Sequence, residues 1–430
     1  MSVTVPSGGG AVMFGPLARP GLTPVPGGVT AASGFRAGGV VAGMKPSGRE
    51  DLALIVADSA TAAAATITTN RVKAAPCLVT ARNAANGWAR VVVCNSGNAN
   101  ACTGANGLHD AETTTEVVAA ALGLDPADVL VCSTGIIGVP MPMKELLAAI
   151  PAAIADLSRD GGLRAARAIL TTDTRTKEAA VRAEDTAGAC VVGGMAKGAG
   201  MIAPNMATML AVVTTDAPIT PAVLRPMVRQ VVARTFNRIS VDMCQSTNDT
   251  VIVLASGRQP HPPTLATFRA ALEAVCADLA RAVVEDGEGT SKVAEVRVTG
   301  ARSEEHGLAL ARAIVGSTLV RAALHGADPN WGRVIAAMGS SNVDFDPDRV
   351  VVKFGASEPP DPAGQPGTSK AITVCRFGVA TAFDRGQVAA LLAKSAVEVT
   401  VDLGLGPAEA SFLTADLTPD YVADNAYYTT

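Results

Sequence analysis

A layered α+β fold is the class that the sequence predicts, on three observations. Short runs rich in β-branched residues alternate with amphipathic helical stretches. Their order lacks the strict strand–helix–strand repeat of a doubly wound parallel sheet, and no repeat of fixed period is visible. A chain of 430 residues also has ample surface to bury in two or three domains, or in one large core with an appended lobe.

The elements follow in chain order. Residues 1–28 carry a Gly/Pro pattern (PSGGG, GPLARPG, PVPGG) without the apolar run of a signal peptide, so a flexible N-terminal segment and a cytoplasmic protein are expected. From Val29 the stretches VTAASGFRAGGVVAGMK, LALIVAD and ATITTNRVKAAPCLVTAR read as strands separated by turns. A buried strand at Val91 to Cys94 runs into the loop NSGNANACTG, then a helix over about 111–121 with Asp110 as its N-cap. A second strand, Asp128 to Thr134, ends in GIIGVPMP before a helix from Met143 to Leu157 that Pro151 should kink.

Residues 163–178 read as helix or turn, and AVRAED and GACVVGGMA as strands. MLAVVTT is a buried strand, TPAVLRPMVRQVVARTFN an amphipathic helix, and SVDMCQSTNDTVIVLAS a polar loop and then a strand. Thr264 caps the next helix. Beyond Val293 the strands AEVRVTG, VVVKFG, AITVCRF and VEVTVDLG are expected, with a helix over about 387–395.

Composition narrows the function. With 48% hydrophobic and 17% charged residues the chain is not disordered, and a net charge of −4 offers nucleic acid or an anionic membrane little attraction. The expected partner is a small molecule. Eight cysteines without CxxC spacing read as reduced core residues, and four histidines (109, 261, 306, 325) without paired spacing support neither a metal nor a Ser/His/Asp triad.

One stretch stands out, KGAGMIAPNMATMLAVVTTD at 197–216. Its 18 uncharged residues match a membrane span in length, but Gly198, Gly200, Pro204 and Asn205 argue for burial in protein. Thr208 sits where the Gly/Pro-rich half meets the strand half. A hydroxyl needs an adjacent base, and an N-terminal threonine supplies one from its own α-amine. Thr208 could free that amine itself, by attack of its hydroxyl on the Ala207 carbonyl, an N-to-O acyl shift and hydrolysis. The plainer alternative is a β-branched residue opening a buried strand.

Further features bear on that choice. Ser133-Thr134-Gly135 at a strand end can offer a hydroxyl and an N–H to an oxyanion, or be a plain turn. Lys197 and Glu288 can pair with the carboxylate and ammonium of an amino acid, or be solvated loop residues. GEGTSK does not meet the phosphate-loop pattern.

Taken together, the blocks GVTAASGFRAGGVVAGMK, TTNRVKAAP, NSGNANACTG, STGIIGVPMP, TTDTRTK, KGAGMIAPNMATML, STNDT, EDGEGTSK, ADPNWGRV and DNAYYT resemble the ornithine acetyltransferases, or glutamate N-acetyltransferases, of the cyclic arginine pathway. The resemblance spans nearly the whole chain. It implies the layered α/β sandwich shared with certain self-processing aminopeptidases, with residues 293–430 as a C-terminal α+β lobe. It also implies cleavage between Ala207 and Thr208 into an α chain (29–207 after the flexible segment) and a β chain (208–430, of which 208–292 complete the catalytic core). The two stay associated as an α2β2 heterotetramer.

By the same resemblance Thr208 is the nucleophile of a ping-pong transfer of acetyl from N-acetylornithine to glutamate. Thr134 and Gly135 form the oxyanion hole, and Thr171, Lys197, Glu288, Asn425 and Thr430 bind substrate. No cofactor is implied, and use of acetyl-CoA as a second acetyl donor, which divides bifunctional from monofunctional members, stays open. One departure is visible, because SVDMCQSTND stands where the family commonly reads SVDGDTSTND, so Met243, Cys244 and Gln245 bear on substrate preference if that loop lines the pocket. An N-terminal amidohydrolase, a specialised acetyltransferase paralogue and a non-catalytic amino-acid-binding protein are the alternatives.

Overall fold

The computed structural model describes residues 20–203, 209–356 and 370–427. Ala207, Thr208 and Thr430 lie outside the described residues. Two mixed sheets with helices packed on them make up the architecture. The first runs in the order Leu22–Pro24, Lys177–Asp185, Gly188–Lys197, Leu210–Thr215, Thr250–Ala255, Leu52–Ile67, Trp88–Asn98, Val129–Ile136, and Phe35–Val40 also pairs with Leu52–Ile67. Most pairs are antiparallel. Leu210–Thr215 with Thr250–Ala255, and Trp88–Asn98 with Val129–Ile136, are parallel, which is the mixture expected of a layered α+β fold rather than a doubly wound one.

The strands are buried on both faces, and their side chains divide by the period of two. In Leu210–Thr215, Ala211 and Val213 enter one core with Leu224, Met227 and Val228 of helix Pro221–Arg234 and with Phe268, Leu272 and Leu279 of helix Leu265–Glu285. Leu210 and Val212 enter another core on the opposite face, with Phe35, Ile55 and Ile169. Helices Gly104–Leu122 and Met143–Ala155 cover Leu54, Val91 and Val131 further along the sheet. Pro151 lies inside the second of these helices.

The second sheet orders Val379–Ala380, Lys370–Arg376, Val351–Ala356, Ala396–Asp402, Val293–Ala301, Ala408–Ala415 and Ile239–Ser240. Its last strand comes from the chain segment that otherwise serves the first sheet. Leu413, Ala415, Ile239 and Val241 also join the core under helix Leu265–Glu285, so the two sheets share apolar packing.

Several local expectations change. The APCLVTARN stretch is helix Ala75–Asn83 rather than strand, with Pro76 in its first turn where the missing N–H costs nothing. The helix before Leu122 begins at Gly104 with Thr103 at the N-cap, leaving Asp110 in its interior. Helices Glu304–Val315, Thr318–His325 and Trp331–Gly339, strand Ala408–Ala415 and helix Pro419–Tyr427 fill ground where no element was expected. Leu22–Pro24, inside the segment expected to be flexible, pairs with 181–183. Six cysteines are buried, but Cys102 and Cys244 are exposed. Among the described residues no single helix is long and apolar enough to cross a membrane.

Candidate active site

Lys197, Leu210 and Thr250 are register partners at one end of the first sheet. Two residues before Leu210 the chain comes from Thr208, so the site is built around this end. Both flanks of residues 204–208 are tethered. Upstream, the Gly198 N–H donates to Asp173 Oδ1 at 2.7 Å, and the Met201 and Ile202 N–H groups donate to the Asp242 carboxylate at 2.6 and 2.9 Å. Downstream, the Met209 N–H donates to Asp249 Oδ1 at 3.0 Å, and its carbonyl accepts from Thr250 N at 3.1 Å.

Thr134 and Gly135 arrive from the neighbouring part of the sheet, at the end of Val129–Ile136. Gly135 has φ +135°, and a Cβ there would lie 2.3 Å from the Gly97 carbonyl carbon, so only glycine fits this close approach. The Asn248 amide fastens this end to the loop after Asp242, donating to the carbonyls of Ala99 at 2.6 Å and Ser133 at 2.8 Å.

Lys197 is 3% exposed, and its Nζ donates to Thr171 Oγ1 at 2.7 Å and reaches Thr134 Oγ1 at 3.5 Å. Asp173 Oδ2 lies 3.7 Å from it. Burial pushes the Lys197 ammonium below its ordinary range, and Asp173 opposes that. Behind it sits Lys177, fully buried, whose Nζ bonds Asp173 Oδ1 at 2.6 Å and Asp286 Oδ2 at 2.5 Å. Burial alone would raise Asp173, but Lys197 and then Lys177 hold its carboxyl well below the usual carboxylate range.

Glu288 approaches from the loop after helix Leu265–Glu285. Its N–H donates to the Ala199 carbonyl at 2.9 Å, and a Cβ on Gly200 would lie 2.3 Å from its Oε2. The Asn425 amide, on the exposed helix Pro419–Tyr427, donates to Glu288 Oε2 at 2.9 Å. Thr134, Gly135, Thr171, Lys197, Glu288 and Asn425 thus line a single cavity of about 100 Å³, together with Ala99, Ser246, Thr247 and Asn248. A cation and two hydroxyls face an anion and an amide across it, an arrangement matched to a zwitterion.

The Met243-Cys244-Gln245 departure lies outside this lining, which begins at Ser246. Met243, at φ +62°, packs against the core of the second sheet, and Gln245 Nε2 donates to Thr69 Oγ1 at 2.7 Å. Among the described residues no cluster of three or more His, Cys, Asp or Glu side chains is placed to hold a metal.

Sequence reasoning missed Asp173, Lys177, Asn248 and Asp249, although TTDT and STND carried three of them. Asp249 is wholly buried, and among the described residues its Oδ2 has no hydrogen-bond partner. Burial pushes its carboxyl well above the usual range.

Two outcomes are expected. Lys177→Met leaves Asp286 and one side of Asp173 buried without their cation, and should lower unfolding stability by about 3–5 kcal/mol in denaturant titrations. For Asp249, a raised folded pKa means its contribution is intact below the unfolded value near 4 and is lost as pH climbs toward the folded value. Asp249→Asn should therefore flatten the decline of stability over that window. An unchanged slope would show that this carboxyl is not held neutral.

The sequence model of the ArgJ family matches residues 36–430. A Thermobifida fusca protein named "Arginine biosynthesis bifunctional protein ArgJ" is 46% identical over 404 residues, covering 94% of this chain and 100% of its own. One of the same name from Symbiobacterium thermophilum is 46% identical over 412 residues, covering 94% of this chain and 99% of its own. Among solved structures, ornithine acetyltransferase from Mycobacterium tuberculosis, complexed with ornithine, is 46% identical with a TM-score of 0.40, over 43% of this chain and 98% of that one.

Proposed function

The chain belongs to the ArgJ family, and from that premise we propose that it is an acetyltransferase of arginine biosynthesis, moving acetyl from N2-acetyl-L-ornithine to L-glutamate through acetyl-Thr208. The observation that carries this reading is the convergence of Thr134, Gly135, Thr171, Lys197, Glu288 and Asn425 on one cavity, at the end of the sheet where the chain emerges from Thr208.

In this proposal Thr208 first cuts the chain. Its hydroxyl attacks the Ala207 carbonyl, the acyl group shifts from N to O, and water releases the new terminus. The fixed flanks at Gly198 to Ile202 and at Met209 support the reading, because tethered ends restrict how the intervening peptide relaxes. Residues 1–207 and 208–430 then remain together as α and β chains, in an α2β2 assembly. The ladders of Gly188–Lys197 with Leu210–Thr215, and of Leu52–Ile67 with Thr250–Ala255, support their staying joined, since both cross the cut.

The freed α-amine, with an ordinary pKa of about 7.7–8.0, takes the Oγ proton as Oγ attacks the acetyl carbonyl. The Thr134 hydroxyl and the Gly135 N–H donate to the oxyanion. Collapse expels the ornithine α-amine, which takes up the proton. Glutamate's α-amine then attacks the acetyl ester, and Thr208 Oγ leaves with its proton restored. Lys197 with Thr171 binds the substrate carboxylate, and Glu288 with Asn425 and Thr430 its ammonium end. No resident cofactor enters the cycle, and acetyl-CoA is the second donor. The enzyme is read as cytoplasmic.

Intact mass gives the first check. The parent should appear as two chains and Thr208→Ala as one of about 43 kDa, with activity lower by about 10³-fold or more. The second check uses labelled acetylornithine with and without glutamate. Label should pass to glutamate, and release of acetate at the same rate without an acceptor would assign a hydrolase instead.

A further inference from the structure

Beside the central cavity lies a larger one, of about 440 Å³, that shares Gly135 and Thr171 with it. Among the described residues its charged groups are Lys45, Arg49 and Arg167 against one carboxylate, Glu50, an excess of two positive charges. Among the described residues neither the Arg49 nor the Arg167 side chain has a hydrogen-bond or ion-pair partner, although Arg167 is within electrostatic reach of Glu178. Pro46, Ile136 and Leu170 supply an apolar wall.

The loop that carries the first two cations is built to stay in place. The N–H groups of Ala42, Gly43, Met44 and Lys45 all donate to the Asp51 carboxylate, at 2.5, 3.1, 2.6 and 3.0 Å, and Asp51 is wholly buried. Lys45 Nζ donates to the Glu50 carbonyl at 2.7 Å. A Cβ on Gly97 would lie 3.2 Å from Lys45 Cγ, and one on Gly135 2.3 Å from the Gly97 carbonyl carbon. Lys45 is therefore stacked across one glycine from the oxyanion turn.

A third cavity, of about 630 Å³, shares Thr171 and Glu288 with the central one and Arg49 with the second; among the described residues it is lined by Asp173, Asp286, Glu288 and Asp424, with Arg49 as the one cation. Asp173 and Asp286 are already paired with Lys177. The central cavity thus adjoins one cavity richer in cations and another richer in carboxylates, with Arg49 lining both.

We propose that the cavity of Lys45, Arg49 and Arg167 is an anion subsite that takes the anionic group a substrate carries at the far end of a carbon chain from its reacting atoms. This rests on the acetyl-transfer reading. Two sources share that chemistry, the side-chain carboxylate of an acidic amino-acid acceptor and the phosphates of a thioester acetyl donor. The apolar wall suits the methylenes of either, and the guanidinium groups suit bidentate contact with carboxylate or phosphate. Burial lowers the Lys45 ammonium to about 8, with Arg49 and Lys197 adding to the fall against Asp51, and a bound anion would reverse that.

The test compares Arg49→Glu, Arg167→Glu and the double variant, each verified by mass as cleaved, in KM for glutamate, acetyl-CoA and acetylornithine. The double variant should raise KM for an anionic substrate by about tenfold or more, well above any change for acetylornithine. A rise for glutamate alone identifies the carboxylate source, one for acetyl-CoA alone the phosphate source. Changes under twofold for both, or an equal rise for acetylornithine, would overturn the proposal. Calorimetry of inorganic pyrophosphate, with Arg49→Gln and Arg167→Gln as milder variants, reads the subsite without turnover. Binding to the parent that weakens in the variants supports it even if the parent transfers no acetyl, and equal or absent binding counts against it.

Discussion

Two lysines and two aspartates buried within reach of one another constrain most of what surrounds the reacting centre. Lys177 has no exposure to solvent and bridges Asp173 and Asp286, while Lys197 leans on the far oxygen of Asp173. None of these charges could be buried alone, because each loses its hydration. Their compensation requires strand Lys177–Asp185, strand Gly188–Lys197, the turn at 171–173 and the end of helix Leu265–Glu285 to meet at one place. A slip of one residue in the pairing of Lys177 with Ala196 would turn Lys177 to the other face and separate the set. The cluster therefore acts as a register lock, and its outermost member, Lys197, is the cation offered to the cavity.

The same economy appears in the carboxylates that hold backbone. Asp173 collects Thr171 N and Gly198 N, Asp242 collects Met201 N and Ile202 N, Asp249 collects Met209 N, and Asp51 collects four consecutive amides. Each fixes a loop that bears a site residue or flanks Thr208. Loops positioned this way give a site the rigidity of a sheet while leaving their side chains free for chemistry. The proposed cut falls between two such anchors, and strands from either side of it pair with one another.

Charge sorting around the cavity gives the proposed chemistry a direction. In the proposed reaction the donor and acceptor share an α-carboxylate and α-nitrogen and differ in the charge of their side chains. A common cavity for the shared end that adjoins one cavity rich in cations and another rich in carboxylates, the two meeting at Arg49, suits both. Asn425 closes this arrangement from an exposed terminal helix whose amide reaches Glu288. That helix was not expected from the pattern of its residues, because none of them is buried and no apolar stripe marks it.

Much of the first sheet was legible because its strands are apolar runs bounded by turn residues, and Leu210–Thr215 and helix Leu265–Glu285 fall where local pattern puts them. Helix Ala75–Asn83 and the helices between 304 and 339 were not, since short alanine-rich stretches satisfy helix and strand templates alike and only packing arbitrates. Thr134-Gly135, Lys197, Glu288 and the singular position of Thr208 stood out in the sequence itself through residue chemistry, and Asn425 through the family resemblance alone. Tertiary structure alone decided that Lys177 would bridge and neutralise Asp173 and Asp286, that Asn248 would tie the Thr134-Gly135 turn to its loop, and that Met243 to Gln245 would stay out of the lining. Those contacts join residues more than a hundred positions apart in several cases, and no local period of hydrophobicity encodes which distant charges share a buried space.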